Sequence, residues 1–331
     1  MSRVLITGGL GFIGSHLARA MVGVGRYDVV LCDYVINEGL IKDIRNRVEV
    51  VRCDVSNPYD VYEIFKKYRP DAVVHLAALL SADAETNPHI GFRVNFEGSW
   101  NVYEAARIFD TKTIVYPSSI AAYGAGLEGK EVVDEEIYTL PKTLYGVSKQ
   151  FNEMLGMWYY WRYGINFIAL RLASVIGPGR KDGGASAYTT LIIQKAAQGE
   201  PYEIPVEEDV RIPIVYIKDV TDLIIHILEN PSKAKSRIYN VQGPYPSPTA
   251  RELVDSVKSI VPSAQLTFRP NPTITNIVKT WPRDLSMDRI KNELGWTPKY
   301  GDLKALIQDF INEVRKHPDI FHNISPYKGN T

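Results

Sequence analysis

Tyr145 and Lys149 stand four residues apart in Tyr-Gly-Val-Ser-Lys, inside a segment, residues 142–163, whose pattern predicts a helix. On a helix that spacing puts both side chains on one face. A phenol with an ordinary pKa near ~10 is a poor base at neutral pH, but a neighbouring ammonium favours the phenolate. Such a pair can take the proton from a substrate hydroxyl. Ser119, with Ser118 beside it, follows the predicted strand 113–117 and can position the reacting oxygen. Alone, a Tyr-x-x-x-Lys pattern usually marks a structural tyrosine and a solvated lysine. Its surroundings decide.

Those surroundings begin at the N-terminus. Thr7-Gly-Gly-Leu-Gly-Phe-Ile-Gly14 places Gly8, Gly11 and Gly14 at three-residue intervals between an apolar run, 3–7, and a predicted helix, 12–24. The first glycine suits a tight turn, the second lets backbone approach a pyrophosphate, and the third lets helix and sheet pack closely. A phosphate then sits at a helix N-terminus, over Phe12 and Ile13, where free N–H groups and the helix dipole favour anions. Asp33 ends the next predicted strand, where a carboxylate can accept both ribose hydroxyls of NAD and repels the extra phosphate of NADP. Tyr34 and Val35 follow it, with no arginine. Asp54, beside Val55 at the end of a third strand, can accept from the adenine amino group or simply cap the loop before Asn57-Pro58. NAD is the expected cofactor, and no metal set is expected.

Strands 3–7, 29–33, 48–54, 71–76 and 113–117 alternate with helices beginning near Phe12 and Pro58 and one spanning 90–109. This alternation predicts an α/β fold: a Rossmann-type doubly wound parallel sheet with a smaller C-terminal α/β substrate lobe. We expect residues 1–172 to form the NAD-binding domain, with parts of 212–242 returning to it, 173–318 mainly the lobe, and 319–331 a loose tail. Pro270, Pro272 and Pro282 are expected to break up the region between the later helices.

Composition narrows the class. The 331 residues carry 38 basic and 38 acidic side chains, so no charge footprint points to nucleic acid or an anionic membrane surface. No run approaches the ~18 apolar residues a membrane span needs, and the N-terminus does not read as a signal peptide. Cys32 and Cys53 are expected as buried free thiols. A cytoplasmic enzyme with a small-molecule substrate fits this balance.

Taken together, the residues resemble the extended short-chain dehydrogenase/reductase superfamily, in its NAD-dependent epimerase/dehydratase group. The likeness rests on TGGLGFIG at 7–14, CDV at 53–55, HLAA at 75–78, VNFEGSWNVYEAA at 94–106, SSIAAYG at 118–124, YGVSK at 145–149 and RLASVIGPG at 171–179. It implies Ser119, Tyr145 and Lys149 as catalytic residues. Leu76, Ala77, Ala78 and Leu172 would line the cofactor, Asn95 would support the neighbouring helix, and the long helices 90–109 and 142–163 would build a homodimer. Within the group the chain looks closest to short-chain-type L-threonine dehydrogenases, through Leu79-Leu-Ser-Ala82, Ile212–Asp219 and Thr280-Trp-Pro282. The resemblance then implies that Ser81, Ser186 and Trp281 face the substrate, although Ser81 also reads as a turn residue and Trp281 as packing. The chain departs from that branch at Gly184-Ala-Ser-Ala-Tyr188, where Gly-Thr-Thr-Asp-Tyr is usual. That stretch is similar to D-erythronate-type dehydrogenases, which oxidise a small polyhydroxy acid. The rival reading is a sugar-nucleotide 4-epimerase, which returns its hydride to the sugar. Those enzymes usually hold the diphosphate with an Asn at the position of Ser174 and an Arg at the position of Ile212. A non-catalytic NAD-binding regulator is the remote third reading.

Overall fold

The computed structural model describes residues 1–124, 127, 130–180 and 184–321. Seven short runs rich in Val, Ile and Leu form one all-parallel sheet: β1 (Ser2–Thr7), β2 (Tyr27–Asp33), β3 (Glu49–Arg52), β4 (Ala72–His75), β5 (Thr113–Ser119), β6 (Asn166–Leu172) and β7 (Ile238–Val241). Their order across the sheet is β3-β2-β1-β4-β5-β6-β7. Successive residues of a strand face opposite sides. Val4, Ile6, Leu31, Val74 and Leu170 therefore join one apolar cluster, while Leu5, Val30, Val73, Ile114 and Phe167 join the other. Helices cover both faces, as a buried parallel sheet requires.

The helices that matter for the site are α1 (Phe12–Val24), α2 (Pro58–Tyr68), α3 (Gly98–Ile108), α4 (Leu144–Tyr163), α5 (Tyr188–Gln198), α6 (Ile217–Glu229), α7 (Ala250–Ile260) and α8 (Leu303–Lys316). Each begins where its residues dictate. Asn57 caps α2 with Pro58 in the first turn, Thr143 accepts from the Gly146 N–H to cap α4, and Thr249 and Glu252 form a reciprocal capping box on α7. Helices α5, α7 and α8 pack on one another beyond the sheet. Their apolar faces continue the cluster that lies under α1 and α6.

Three sequence expectations change. The segment 90–109 is not one regular helix: Pro88–Phe92 is α-helical, Arg93–Glu97 makes a π turn, and only then does α3 begin. Pro272 opens a helix to Lys279 rather than breaking one, because Asn271 caps it and the first turn has no use for the missing N–H. The start of the tail is ordered: Pro318–Phe321 is helical, with Phe321 buried against Gln194 and Gln198. Residues 322–331 of the expected tail, Asp182 and Gly183 lie outside the described residues. Cys32 and Cys53 are free and buried, as expected.

Candidate active site

The strand order reverses between β1 and β4, and in open α/β sheets ligands bind at the carboxyl ends beside that point. The glycine turn leaves β1 there, and Leu76–Ala78 leave β4. Gly8 takes φ 64°, and a β-carbon on it would lie 2.8 Å from the Ala77 nitrogen, so only glycine lets the two loops meet. A β-carbon on Gly11 would meet nothing within 4 Å except the Gly8 carbonyl, leaving a cradle above α1. Gly11 is also the N-cap of α1 and has no side chain to cap it. The first-turn N–H groups of Phe12, Ile13 and Gly14 therefore have no intrahelical acceptor. Orphan donors around an open cradle fit a dinucleotide pyrophosphate.

Asp33 stands at the end of β2 and accepts from the Leu10 N–H at 3.1 Å, tying the carboxylate to the glycine turn. Burial pushes its carboxyl above the usual range, while the N–H groups of Leu10, Val35 and Tyr34 pull it back. Asp54 is engaged in its own loop: Oδ1 accepts from the Ser56 N–H at 2.9 Å and the Ser56 hydroxyl at 2.7 Å. The loop-cap role expected as its alternative is thus the one its contacts display. Val55 is buried against Gly98.

A directional chain sets the floor. Burial brings His75 down to about 3, so its ring is neutral. The Ser99 hydroxyl donates to the Asn95 carbonyl, the His75 Nε2–H donates to Ser99, and the Thr7 hydroxyl donates to His75 Nδ1. Thr7 Oγ1 then accepts from the Ala77 N–H at 3.2 Å. Asn95 clamps Leu79 at both ends, accepting from its N–H at 2.8 Å and donating to its carbonyl at 2.9 Å. The π turn frees the Asn95 carbonyl, which also accepts from Asn152 of α4 at 2.8 Å.

The candidate catalytic face is a docking of α4 on the end of β5. Three residues of one helix face, Tyr145, Lys149 and Glu153, meet three consecutive strand residues. The Ser119 hydroxyl acts on the Tyr145 phenol and pulls its pKa down, Lys149 Nζ donates to the Pro117 carbonyl at 2.7 Å, and the Ser118 hydroxyl donates to Glu153 at 2.5 Å. Ser119 Oγ also accepts from the Ala121 N–H at 3.1 Å, which orients its proton. The helix lies this close because Gly156 has no side chain; a β-carbon there would sit 2.2 Å from the Phe167 ring. Ser118, grouped with the substrate residues by sequence, instead points into the core, because neighbouring strand residues face opposite ways.

From the sequence, the neighbouring Lys149 ammonium is expected to lower the phenol. In the protein itself burial dominates, pushing Tyr145 up to about 12 against the opposing pull of Ser119 and Arg180. Lys149 is brought down to about 7 by burial, with Glu153 holding it up. Its ammonium lies 5.3 Å from the Tyr145 ring centre and 4.6 Å from that of Tyr116.

On the substrate side, Ser186 accepts from Arg180 at 2.8 Å, and the same guanidinium donates to Ser174 at 3.1 Å and to the Val175 carbonyl at 2.8 Å. Ser174 also shares a hydrogen bond with Thr189. Arg180 is a candidate site residue that the sequence reading missed. Its place in Gly-Pro-Gly-Arg was visible, but nothing in the spacing tied it to Tyr145. Ser81 opens a short helix, Ser81–Thr86, rather than a simple turn. Trp281 packs against the apolar cluster that continues from the sheet and follows the helix 272–279. Among the described residues no hydrogen bond or ring contact joins Ser81 or Trp281 to Tyr145. Leu172 is buried at the end of β6, opposite Ser119 in register.

A profile of the NAD dependent epimerase/dehydratase family matches residues 4–241. The chain belongs to that family. Its cofactor is NAD, and the cradle above α1 with Asp33 beside it is where these residues would hold it. When bound, NAD supplies the acceptor for a hydride. Bovine mitochondrial L-threonine 3-dehydrogenase is 31% identical over 320 residues, covering 94% of this chain and 82% of the relative. The solved L-threonine dehydrogenase of Phytophthora infestans superposes with a TM-score of 0.86 at 29% identity, over 95% of this chain and 100% of that one. The UDP-glucose 4-epimerase of Thermus thermophilus, solved with NAD, superposes at 0.81 with 27% identity, over 95% of this chain and 99% of that one. The chain is thus an NAD-dependent enzyme of this family, similar both to dehydrogenases and to epimerases.

Proposed function

We propose that the protein oxidises the secondary hydroxyl of a small hydroxy amino acid or hydroxy acid, with L-threonine the first candidate, and releases NADH. The observation that carries this reading is Arg180. Its guanidinium is held by Ser174 and Ser186 and is the charged group that pulls on the Tyr145 phenol. A cation so placed suits a substrate carboxylate close to the reacting carbon. Ser119 orients the substrate oxygen, Tyr145 accepts its proton, and Lys149 together with the cationic ring of NAD favours the phenolate. Ser81 and Trp281 border the pocket in this reading, with the lobe from residue 173 onward closing over it.

Three assays test the reading: NADH formation with L-threonine, NADH formation with D-erythronate, and interconversion of UDP-glucose and UDP-galactose. Net NADH from either small acid is expected. Interconversion of the nucleotide sugars with no NADH from either acid would overturn the proposal in favour of the epimerase. A Tyr145→Phe chain that retained full turnover would remove the catalytic assignment altogether.

We propose further that the enzyme is a cytoplasmic homodimer. Trp100 on α3 and Phe151, Met154 and Trp158 on α4 are large apolar side chains left 41–51% exposed on neighbouring helices, a concentration that marks a protein interface. The balanced charge and the absence, among the described residues, of a helix fit to cross a membrane are consistent with this placement.

A further inference from the structure

Below the proposed catalytic face lies an ion pair that the reaction does not touch. Glu153 is fully buried and Arg171 is 5% exposed, and they meet in a two-pronged contact, Nη2 to Oε2 at 2.7 Å and Nε to Oε1 at 3.0 Å. The Ser118 hydroxyl donates to the same carboxylate. Two buried charges of this kind cost desolvation that well-packed apolar residues would avoid. A pair so placed invites a role beyond stability.

That role follows from where the carboxylate stands. Glu153 is one helical turn beyond Lys149 on the face of α4 that meets β5, and the two are anchored on adjacent strand residues, Ser118 and Pro117. Burial opposes a charged Lys149, and the direct acceptor of its Nζ is a neutral carbonyl. Among the described residues, the ionisable groups that face it directly offer no other anion. From β4, His75 is neutral; from β5, Tyr116 is buried, with its pKa pushed up. On α3, Tyr103 is likewise pushed up. Beyond Arg171, Tyr123 donates to Asn240, and Glu135 accepts from the Asn240 N–H. Arg180 on the substrate side is itself a cation. Among the described residues, Glu153 is the negative charge that acts on Lys149.

We infer that Glu153, pinned by Arg171 and Ser118, is the buried counter-ion that keeps Lys149 a cation beneath Tyr145. Arg171 holds the carboxylate in place by its two-pronged hydrogen bond, and Ser118 fixes which way it faces. Glu153 is therefore a positioning residue: it acts through Lys149 and touches neither substrate nor cofactor. Its consequence for turnover rests on the proposed role of Lys149, but its effect on the lysine itself does not.

The test reads the lysine directly. The full chain is labelled with ¹³C at lysine Cε, and the Lys149 signal, assigned by its loss in Lys149→Met, is followed against pH. In Glu153→Gln the titration midpoint is expected to fall by about one unit, a tenfold loss in the ammonium-to-amine ratio. Glu153→Asp, which keeps the charge but retracts it, is expected to fall between the two, and it serves alone if the glutamine variant does not fold. Midpoints unchanged in folded variants would overturn the inference. The pH dependence of kcat/KM for L-threonine is measured alongside, and the ascending limb of Glu153→Gln is expected to move to higher pH as the phenolate loses its cation. If the wild type does not oxidise L-threonine, the substrate proposal fails while the lysine titration still decides the role of Glu153.

Discussion

At the scale of single residues, the site separates groups that do chemistry from groups that hold them. Tyr145→Phe removes the phenol proposed as proton acceptor and keeps the ring, so kcat is expected to fall about 10²–10⁴-fold with NAD binding, followed by fluorescence quenching, essentially unchanged. Arg180→Gln keeps hydrogen-bond donors for Ser174 and Ser186 but removes the charge. KM for the proposed acid substrate is expected to rise more than kcat falls, and the split between the two constants in steady-state kinetics checks it. Asp33→Ser is expected to narrow the preference for NAD over NADP, because the carboxylate that repels a ribose phosphate is gone; comparing kcat/KM for the two cofactors measures this. A preference that stayed the same would take the ribose role away from Asp33.

At the scale of elements, the decisive contact is α4 lying on β5 and β6 with no side chain between Gly156 and Phe167. Gly156→Ala forces a β-carbon into space that the ring already fills. Overpacking of this kind costs about 1–3 kcal/mol, and here it also lifts Tyr145 and Lys149 off their partners at residues 117–119. Urea unfolding should show the lost stability, and activity should fall further than stability alone explains. Gly23→Ala in α1 is the control: a β-carbon there meets nothing within 4 Å, and a gain of about 0.5–1 kcal/mol is expected. Much of this architecture was legible beforehand. The helix Phe12–Val24 forms as read, and the strand read at 113–117 opens Thr113–Ser119, because strong apolar periodicity and flanking glycines or caps agree. The π turn at Arg93–Glu97 was not legible, since its residues suit an α-helix equally well and its cause lies in the Asn95 contacts with Leu79 and α4. The Pro272 helix was misread because proline both ends and begins helices. Ser118 was misassigned because adjacency in sequence hides the alternation of a strand, and Glu153 with Arg171 gave no signal because eighteen residues separate the partners.

At the scale of the whole molecule, stability should follow buried histidines. His75 and His16 are brought by burial from 6.5 down to about 3 and about 4, and His16 Nε2–H donates to the Pro178 carbonyl at 2.8 Å. Both pKa values are lower folded than unfolded, so between about pH 6.5 and 4 the unfolded chain binds more protons. Stability is therefore lost as pH falls through that window, by on the order of several kcal/mol in all. Asp219, raised by burial to about 6, works in the opposite sense below that pH and partly offsets the loss. His16→Gln keeps a donor for Pro178 but cannot titrate, so the slope of unfolding midpoint against pH should flatten; an unchanged slope would clear His16 of the effect.

The return of the chain to the sheet at Ile238–Val241 has a consequence for how the protein is made. β6 is complete at Leu172, yet its outer edge has no partner until Ile238–Val241 leaves the ribosome. During that interval a nascent chain carries an open parallel edge beside the future active site, the kind of surface on which neighbouring chains can add strands. Glu135 and Tyr123, which bond to Asn240 from the opposite direction, have no partner there either until that point. Synthesis arrested or truncated before β7 should therefore yield a sheet that binds chaperones or aggregates, rather than a smaller working enzyme.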